Sequence, residues 1–162
     1  METGEAAVSD RGLFITFEGG EGCGKSTQSR MLVRRLTAAG ADVLSVREPG
    51  GTEIGDRIRA LLLDPEHDAL DDRAELLLYE ASRAQLVAEV ITPALAAGSI
   101  VVCDRFADSS TAYQGYGRRL PLDGVLSLNE WATGGLVPDL TILLDADPEI
   151  GLARATASEA DR

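Results

Sequence analysis

The sequence predicts an α/β fold, a three-layer domain in which a parallel β-sheet is covered by helices on both faces. Four short segments are apolar throughout, as strands buried on both faces are, and segments of helical periodicity lie between them. In addition, 162 residues with a hydrophobic content of 44% suffice for one domain with a buried core but not for two ordinary domains.

The strands are predicted from runs of aliphatic, β-branched and aromatic residues that are bounded by turn residues. Gly19 and Gly20 follow the first run closely, and Pro49 follows the second. The predicted strands are residues 13–17, 43–46, 100–103 and 140–144.

Helices are predicted between these strands from apolar periodicity and from residues typical of helix ends. Gly40 and Gly98 suit the position just beyond a helix, Asp71 suits an N-cap, and Pro93 is expected to bend the longest helix. The predicted helices are residues 25–39, 53–63, 71–97 and 122–132, with a further helix starting at 149, whereas residues 109–115 are predicted to form a polar loop.

The two ends of the chain are predicted to differ from the rest. Residues 1–12 are acidic and contain no apolar run, which favours a flexible N-terminal extension over a signal peptide. The domain then spans residues 13–162. Because a parallel sheet normally ends on a covering element and this sequence stops in a polar stretch, we expect the C-terminal end of the domain to be missing.

The charge balance restricts the partners. With 15 basic and 27 acidic residues the formal net charge is −12, so we expect neither a nucleic-acid polymer nor an anionic membrane as a partner. The two cysteines, Cys23 and Cys103, are too few for a disulfide framework, and no apolar run reaches membrane-spanning length. We therefore expect a cytoplasmic protein whose phosphate ligands are small and held in a locally positive pocket.

The segment between the first strand and the first helix carries a phosphate-binding motif. It reads GGEGCGKS and fits G-x-x-x-x-G-K-[ST] in the required strand–loop–helix context. Backbone N–H groups would cradle phosphates, Lys25 would reach the β- and γ-phosphates, and Ser26 could ligate Mg²⁺. This predicts a P-loop NTPase-like fold. The predicted ATP-binding residues are Gly19, Gly20, Glu21, Gly22, Cys23, Gly24, Lys25, Ser26 and Thr27.

Other classes with glycine-rich loops fit less well. A GTPase needs a second lysine to read guanine, but Lys25 is the only lysine of the chain. A dinucleotide-binding loop needs a third glycine, and a protein kinase needs a His-Arg-Asp loop. A glycine-rich turn that binds nothing stays open as the alternative.

Candidate acceptor residues follow the second and third strands. Asp104 and Arg105 come directly after the third apolar run, where a carboxylate can hold Mg²⁺ and a guanidinium can bind phosphate oxygens; an ordinary strand-capping pair is the alternative. Glu48 and Pro49 follow the second strand and are expected at the same carboxyl edge. Further along the chain, Tyr79 and Arg83 share one face of the long helix and could stack on a base and hydrogen-bond its edge, with surface packing as the alternative.

Five sequence blocks in this order resemble the bacterial thymidylate kinases. The blocks are FEGGEGCGKST, REPGGTEIGDRIRALLLD, LLLYEASRAQLV, CDRFADSSTAYQG and VPDLTILLDADPEIGLARA. The resemblance implies ATP-dependent phosphorylation of dTMP to dTDP in dTTP synthesis, with ATP as the phosphoryl donor, Mg²⁺ as the cofactor and a homodimer as the assembly. Two alternatives remain open: a kinase for another nucleotide, and a catalytically weak or silent nucleotide-binding fragment. For this chain, without the C-terminal portion of the family, we expect weak ATP binding and low or absent turnover.

The resemblance also implies roles for individual residues. Catalytic roles fall to Lys25, Arg105, which bridges the two phosphates, and Glu21, which contacts the acceptor sugar. Arg154 is the candidate lid arginine, with a solvated helix arginine as the alternative. The metal residues are Ser26 and Asp104. The implied substrate-binding residues are Glu48, Pro49, Arg59 at the acceptor phosphate, Tyr79 stacked on thymine, Arg83 at a thymine carbonyl, Arg105, and Ser110, Tyr113 and Gln114 at the base edge and the 2′ position.

Overall fold

The computed structural model describes residues 11–67 and 69–160, and in these residues four parallel strands form one sheet. The sheet order is β2-β3-β1-β4, which confirms the predicted parallel α/β architecture. The strands are β1 (Phe14–Gly19), β2 (Val43–Arg47), β3 (Ile100–Asp104) and β4 (Leu140–Leu144).

Helices connect the strands close to the predicted positions. They are α1 (Lys25–Ala38), α2 (Glu53–Leu62), α3 (Asp72–Leu86), α4 (Thr92–Ala96), α5 (Ala107–Ser110), α6 (Leu122–Thr133) and α7 (Pro148–Ala160), with a 3₁₀ turn at Pro65–His67. Two π-helical turns, Val87–Ile91 and Thr111–Gly117, follow α3 and α5.

The long helix predicted over residues 71–97 is divided into α3, a π turn and α4. Asp71 caps α3 as predicted, since its side chain accepts a hydrogen bond from the Arg73 backbone N–H. Pro93 has no N–H to donate, and the backbone N–H of Thr92 bonds to the carbonyl of Val87 five residues back. The helix is therefore interrupted by a widened turn just before Pro93, where the sequence predicts a bend.

The prediction of a loop over residues 109–115 is wrong. Ser109 and Ser110 end α5, and the chain continues as the π turn Thr111–Gly117. Serine and threonine favour helices only weakly, but here Asn129 of α6 donates to the carbonyl of Ala107 and to the hydroxyl of Thr111. This tertiary contact, which sequence periodicity does not report, holds the segment helical.

The sheet has a separate apolar cluster on each face. On one face Phe14 and Val101 pack with Leu86 and Ile91 from the α3–α4 segment. On the other face Ile15, Phe17 and Val102 pack with Leu32 and Leu36 of α1. The alternation of Phe14 and Ile15 between the two clusters follows from the two-residue period of a strand, and it gives the predicted three layers.

Residues 1–10 of the predicted N-terminal extension, residues 1–12, lie outside the described residues. Arg11 pairs with Asp139, and the backbone N–H of Gly12 donates to the carbonyl of Leu95. Within the described part of the chain, no helix combines the length and the apolar character needed to cross a bilayer.

Candidate active site

The glycine-rich loop joins β1 to α1 as the motif requires. Gly22 and Gly24 adopt φ angles of 64° and 100°, in the left-handed region that favours glycine. A Cβ atom on Gly22 would lie 1.9 Å from the carbonyl oxygen of Gly151. The loop therefore packs directly on α7, and this contact brings Arg154, one turn further along α7, to the cavity described below.

Lys25 starts α1 and folds back over the loop. Its Nζ donates to the carbonyl oxygens of Gly19 at 2.9 Å and Gly20 at 2.7 Å, and lies 3.6 Å from the Cys23 sulfur. No carboxylate pairs with this ammonium among the described residues. Its positive charge is thus available to a phosphate.

Ser26 and Asp104 meet at the predicted metal position. The Ser26 hydroxyl donates to the Asp104 carboxylate at 2.5 Å, which links the start of α1 to the end of β3. A hydroxyl and one carboxylate are the oxygen ligands from which Mg²⁺ is held beside substrate phosphates. Two such oxygens on neighbouring elements fit a Mg²⁺ ion whose other ligands are phosphate oxygens and water.

Arg105 connects the loop to the opposite wall of the site. It adopts φ 72°, uncommon for a residue with a side chain, in the turn after β3. Its guanidinium pairs with Glu21, donates to Ser109 at 3.3 Å and lies 5.1 Å from the centre of the Tyr113 ring. Glu21, Arg105 and Tyr113 thus form one cluster, as their predicted roles at a shared phosphate and sugar require.

Glu18 holds the Arg105 turn in place, and no sequence argument identified it. Its carboxylate accepts hydrogen bonds from the Phe106 backbone N–H at 2.8 Å and the Ser109 hydroxyl at 2.7 Å. Burial raises the pKa of Glu18, although these two hydrogen bonds oppose the shift. A charged residue directly after the apolar β1 run is the sequence signal that could have revealed it.

Arg83 is buried inside the wall of the site rather than placed on a helix surface. Its side chain is 2% exposed, and it pairs with Glu48 at 2.7 Å and Glu80 at 2.6 Å. The remaining acceptors are the Ser110 hydroxyl at 3.1 Å, the Asn129 side chain at 2.9 Å and the Phe106 carbonyl at 3.2 Å. Since these bonds use every guanidinium N–H, the implied hydrogen bond to a thymine carbonyl requires Arg83 to exchange one of them.

Arg83 offsets only part of the cost of ionising the buried Glu48 carboxyl. Its Oε1 is buried without a partner in the described structure. Burial raises the pKa of Glu48 to about 7, and the attraction of Arg83 opposes this shift. Glu80 pairs with the same guanidinium. If Glu48 and Glu80 were both ionised, the cluster would therefore carry a net negative charge.

Replacing Glu48 with glutamine is expected to flatten the pH dependence of stability. The folded protein holds a proton on Glu48 between its ordinary pKa of 4.5 and about 7, so the wild type loses stability as pH rises from about 4.5 to about 7, and above 7 the loss is complete. Glu48→Gln is neutral at every pH, and we expect its stability relative to the wild type to rise by roughly 1–3 kcal/mol between about pH 5 and pH 8.5. Urea unfolding of both proteins at the two pH values measures this difference, and a constant difference would contradict it.

A single cavity of about 1070 Å³ collects the predicted residues. Every predicted catalytic, metal and substrate-binding residue lines it, together with Gly22, Gly24 and Thr27 of the loop, whereas Gly19, Gly20 and Cys23 do not. The basic residues in the lining are Lys25, Arg47, Arg59, Arg83, Arg105, Arg118 and Arg154. The acidic chain thus has the locally positive pocket that its sequence predicts.

Arg59 and Arg47 both line this cavity. Arg59 donates to the carbonyl of Pro49 at 2.9 Å. Burial lowers its pKa, and the neighbouring charge of Arg47 lowers it further. Arg47, the last residue of β2, was not among the predicted site residues, although its place at the carboxyl end of a strand could have indicated it.

Comparisons with known proteins agree with this geometry. A family model described as thymidylate kinase matches residues 17–162. The chain is 56% identical to a thymidylate kinase of Exiguobacterium sp., covering 93% of this chain and 69% of the relative, and 60% identical to one of Geotalea daltonii, covering 90% and 68%. The crystal structure of thymidylate kinase from Ehrlichia chaffeensis superposes with a TM-score of 0.80 at 37% identity, covering 93% of this chain and 80% of that one. The chain therefore belongs to the thymidylate kinase family.

Proposed function

We propose that this chain transfers the γ-phosphoryl group of ATP to dTMP, forming dTDP and ADP, as a step of dTTP synthesis. The observation that carries the proposal is the convergence of Lys25, Arg105 and Tyr79 on one cavity. Membership of the thymidylate kinase family supports the same reaction. Nothing in the cavity favours the alternative of a silent nucleotide-binding fragment.

The reaction forms a bond between a phosphate oxygen of dTMP and the γ-phosphorus, while the bond from that phosphorus to the β,γ-bridging oxygen breaks. The nucleophile is already an anionic phosphate, so no general base is required; alignment and neutralisation of charge carry the catalysis. Lys25 neutralises the donor phosphates, Arg105 bridges donor and acceptor, Arg59 binds the acceptor phosphate, and Arg154 adds charge from α7. Glu21 contacts the acceptor sugar.

Mg²⁺ fits the hydroxyl of Ser26 and the carboxylate of Asp104, which would hold it beside the donor phosphates. When bound, the ion neutralises phosphate charge and orients the donor. The 2.5 Å hydrogen bond between the two side chains keeps both oxygens at one position before nucleotide binds.

The base of dTMP is proposed to stack on Tyr79, with its edge toward the buried wall. Ser110 and Gln114 are 1% and 4% exposed, so a base that reaches them loses its water and must be matched by their polar groups. Tyr113 lies beside Arg105 and Glu21, where it would crowd the sugar 2′ position.

A panel of acceptors tests the proposed function. ADP release is measured with dTMP, dUMP, dCMP and dGMP, on this chain and on a chain extended by the C-terminal portion of a relative. We expect turnover with dTMP above all other acceptors in both chains. ATP binding without transfer to any acceptor in both chains would instead support the nucleotide-binding alternative.

We also propose that the protein is cytoplasmic. In addition, we propose that it forms a homodimer through the neighbouring helices α2, α3 and α6. α3 packs against both of the other helices. The three present exposed apolar side chains, with Trp131 of α6 84% exposed; the others are Ile54, Leu61, Leu77 and Leu126. Light scattering coupled to gel filtration measures the mass, and a monomer at high concentration would contradict the dimer.

A further inference from the structure

Glu75 lies on the base side of the cavity, outside the residues assigned so far. It is on α3 one helical turn before Tyr79, and both side chains line the cavity. Its Oε1 accepts a hydrogen bond from the side-chain nitrogen of Gln114 at 2.7 Å. Its Oε2 accepts one from Arg118 at 2.8 Å. Glu75 therefore joins α3 to the π turn that carries Gln114.

The Glu75 carboxylate is ionised at neutral pH. Burial raises its pKa, but the hydrogen bonds from Arg118 and Gln114 outweigh burial and lower the pKa below its ordinary value. An ionised carboxylate can only accept hydrogen bonds. The Gln114 amide must consequently turn its nitrogen, and not its oxygen, toward Glu75.

This orientation determines what Gln114 offers to a ligand. Gln114 is 4% exposed and lines the cavity, so its amide cannot rotate freely into water. With the nitrogen bound to Glu75, the carbonyl oxygen is the acceptor that the amide presents on the cavity side. An acceptor at this place pairs with a base edge that carries a donor.

Pyrimidines differ in this respect at N3. Thymine and uracil carry an N3–H donor, whereas the N3 of cytosine is an acceptor whose lone pair would face the Gln114 oxygen. We propose that Glu75 is a positioning residue that selects pyrimidines with an N3–H by fixing the orientation of the Gln114 amide. This inference rests on the proposed function, since it assumes that the base lies between Tyr79 and Gln114.

The replacement Glu75→Gln tests the inference. Glutamine has the same shape but can donate as well as accept, so the Gln114 amide becomes free to turn over. We expect the ratio of dTMP affinity to dCMP affinity, measured by calorimetry, to fall about 10- to 100-fold, as when one buried hydrogen bond to a substrate is lost or reversed. The matched control is Glu89→Gln, which makes the same change in an exposed Gln85–Glu89 pair that does not line the cavity, so its affinity ratio is expected to stay within about threefold of wild type.

The outcomes separate the inference from the proposed function. If the wild type binds neither nucleotide, the proposed function fails and the inference fails with it. If the wild type prefers dTMP and Glu75→Gln keeps that preference, or loses both affinities equally, Glu75 only joins α3 to the π turn and the inference alone is overturned. Should Glu75→Gln fail to fold by thermal melting, Glu75→Asp withdraws the carboxylate from Gln114 by one methylene and must lower the same ratio.

Discussion

Replacing Lys25 with methionine is expected to lower dTMP-dependent turnover by at least about 10³-fold, the loss typical of removing a charged group from a transferring phosphoryl. Methionine preserves the length of the side chain and removes the ammonium that lies over the loop between the carbonyls of Gly19 and Gly20. The measurement is ADP release under saturating dTMP and ATP.

The control for this variant is Arg34→Met, which removes one positive charge from an exposed position of the same helix. We expect it to keep turnover within about twofold of wild type, because an exposed charge outside the cavity is screened by solvent. Equal losses in the two variants would show that net charge, rather than the position of Lys25, determines the rate. Thermal melting of both variants separates a catalytic loss from unfolding.

Replacing Arg83 with methionine is expected to reduce the free energy of unfolding by about 3–5 kcal/mol, the cost of leaving buried carboxylates without their cation. Arg83 is 2% exposed, and its two carboxylate partners, Glu48 and Glu80, are 6% and 4% exposed. Each of these carboxylates already has one oxygen without a partner. Urea unfolding at neutral pH measures the loss.

A triple variant serves as its control. Combining Arg83→Met with Glu48→Gln and Glu80→Gln removes all three charges and keeps the side-chain volumes, so we expect most of the lost stability to return. If Arg83→Met alone unfolds at the wild-type urea concentration, the cluster does not stabilise the fold. If the triple variant is no better than Arg83→Met, the packing of Arg83 against Phe106, and not its charge, would account for the loss.

Local sequence patterns were sufficient to predict the parallel sheet and the glycine-rich loop. Strands β1 and β3 are apolar because helices cover both of their faces, and the loop motif is a run of adjacent residues whose glycines are required by backbone geometry. In parallel sheets, ligands bind at the carboxyl ends of the strands. This rule was enough to predict that Asp104 and Glu48 share one site, although they follow strands far apart in the chain, and both line the cavity.

Interactions between distant segments could not be predicted from local sequence patterns. Glu80 lies three residues from Arg83 and could have been proposed as its partner, but Asn129 lies 46 residues away on another helix and carries no signal of its own. Asn129 also donates to the Ala107 carbonyl and the Thr111 hydroxyl in the helical segment after Phe106. Because the local sequence does not show these contacts, its polar residues predicted a loop there. The surroundings of Arg83 and the conformation of residues 109–115 thus both depend on polar contacts between distant segments, which local sequence patterns do not show.

A crystal structure of the chain with dTMP and a non-hydrolysable ATP analogue tests the central claim most directly. We expect the analogue's phosphates within hydrogen-bond distance of Lys25, the dTMP phosphate between Arg59 and Arg105, and the thymine ring parallel to Tyr79. An empty glycine-rich loop, or a thymine ring bound away from Tyr79, would contradict the account.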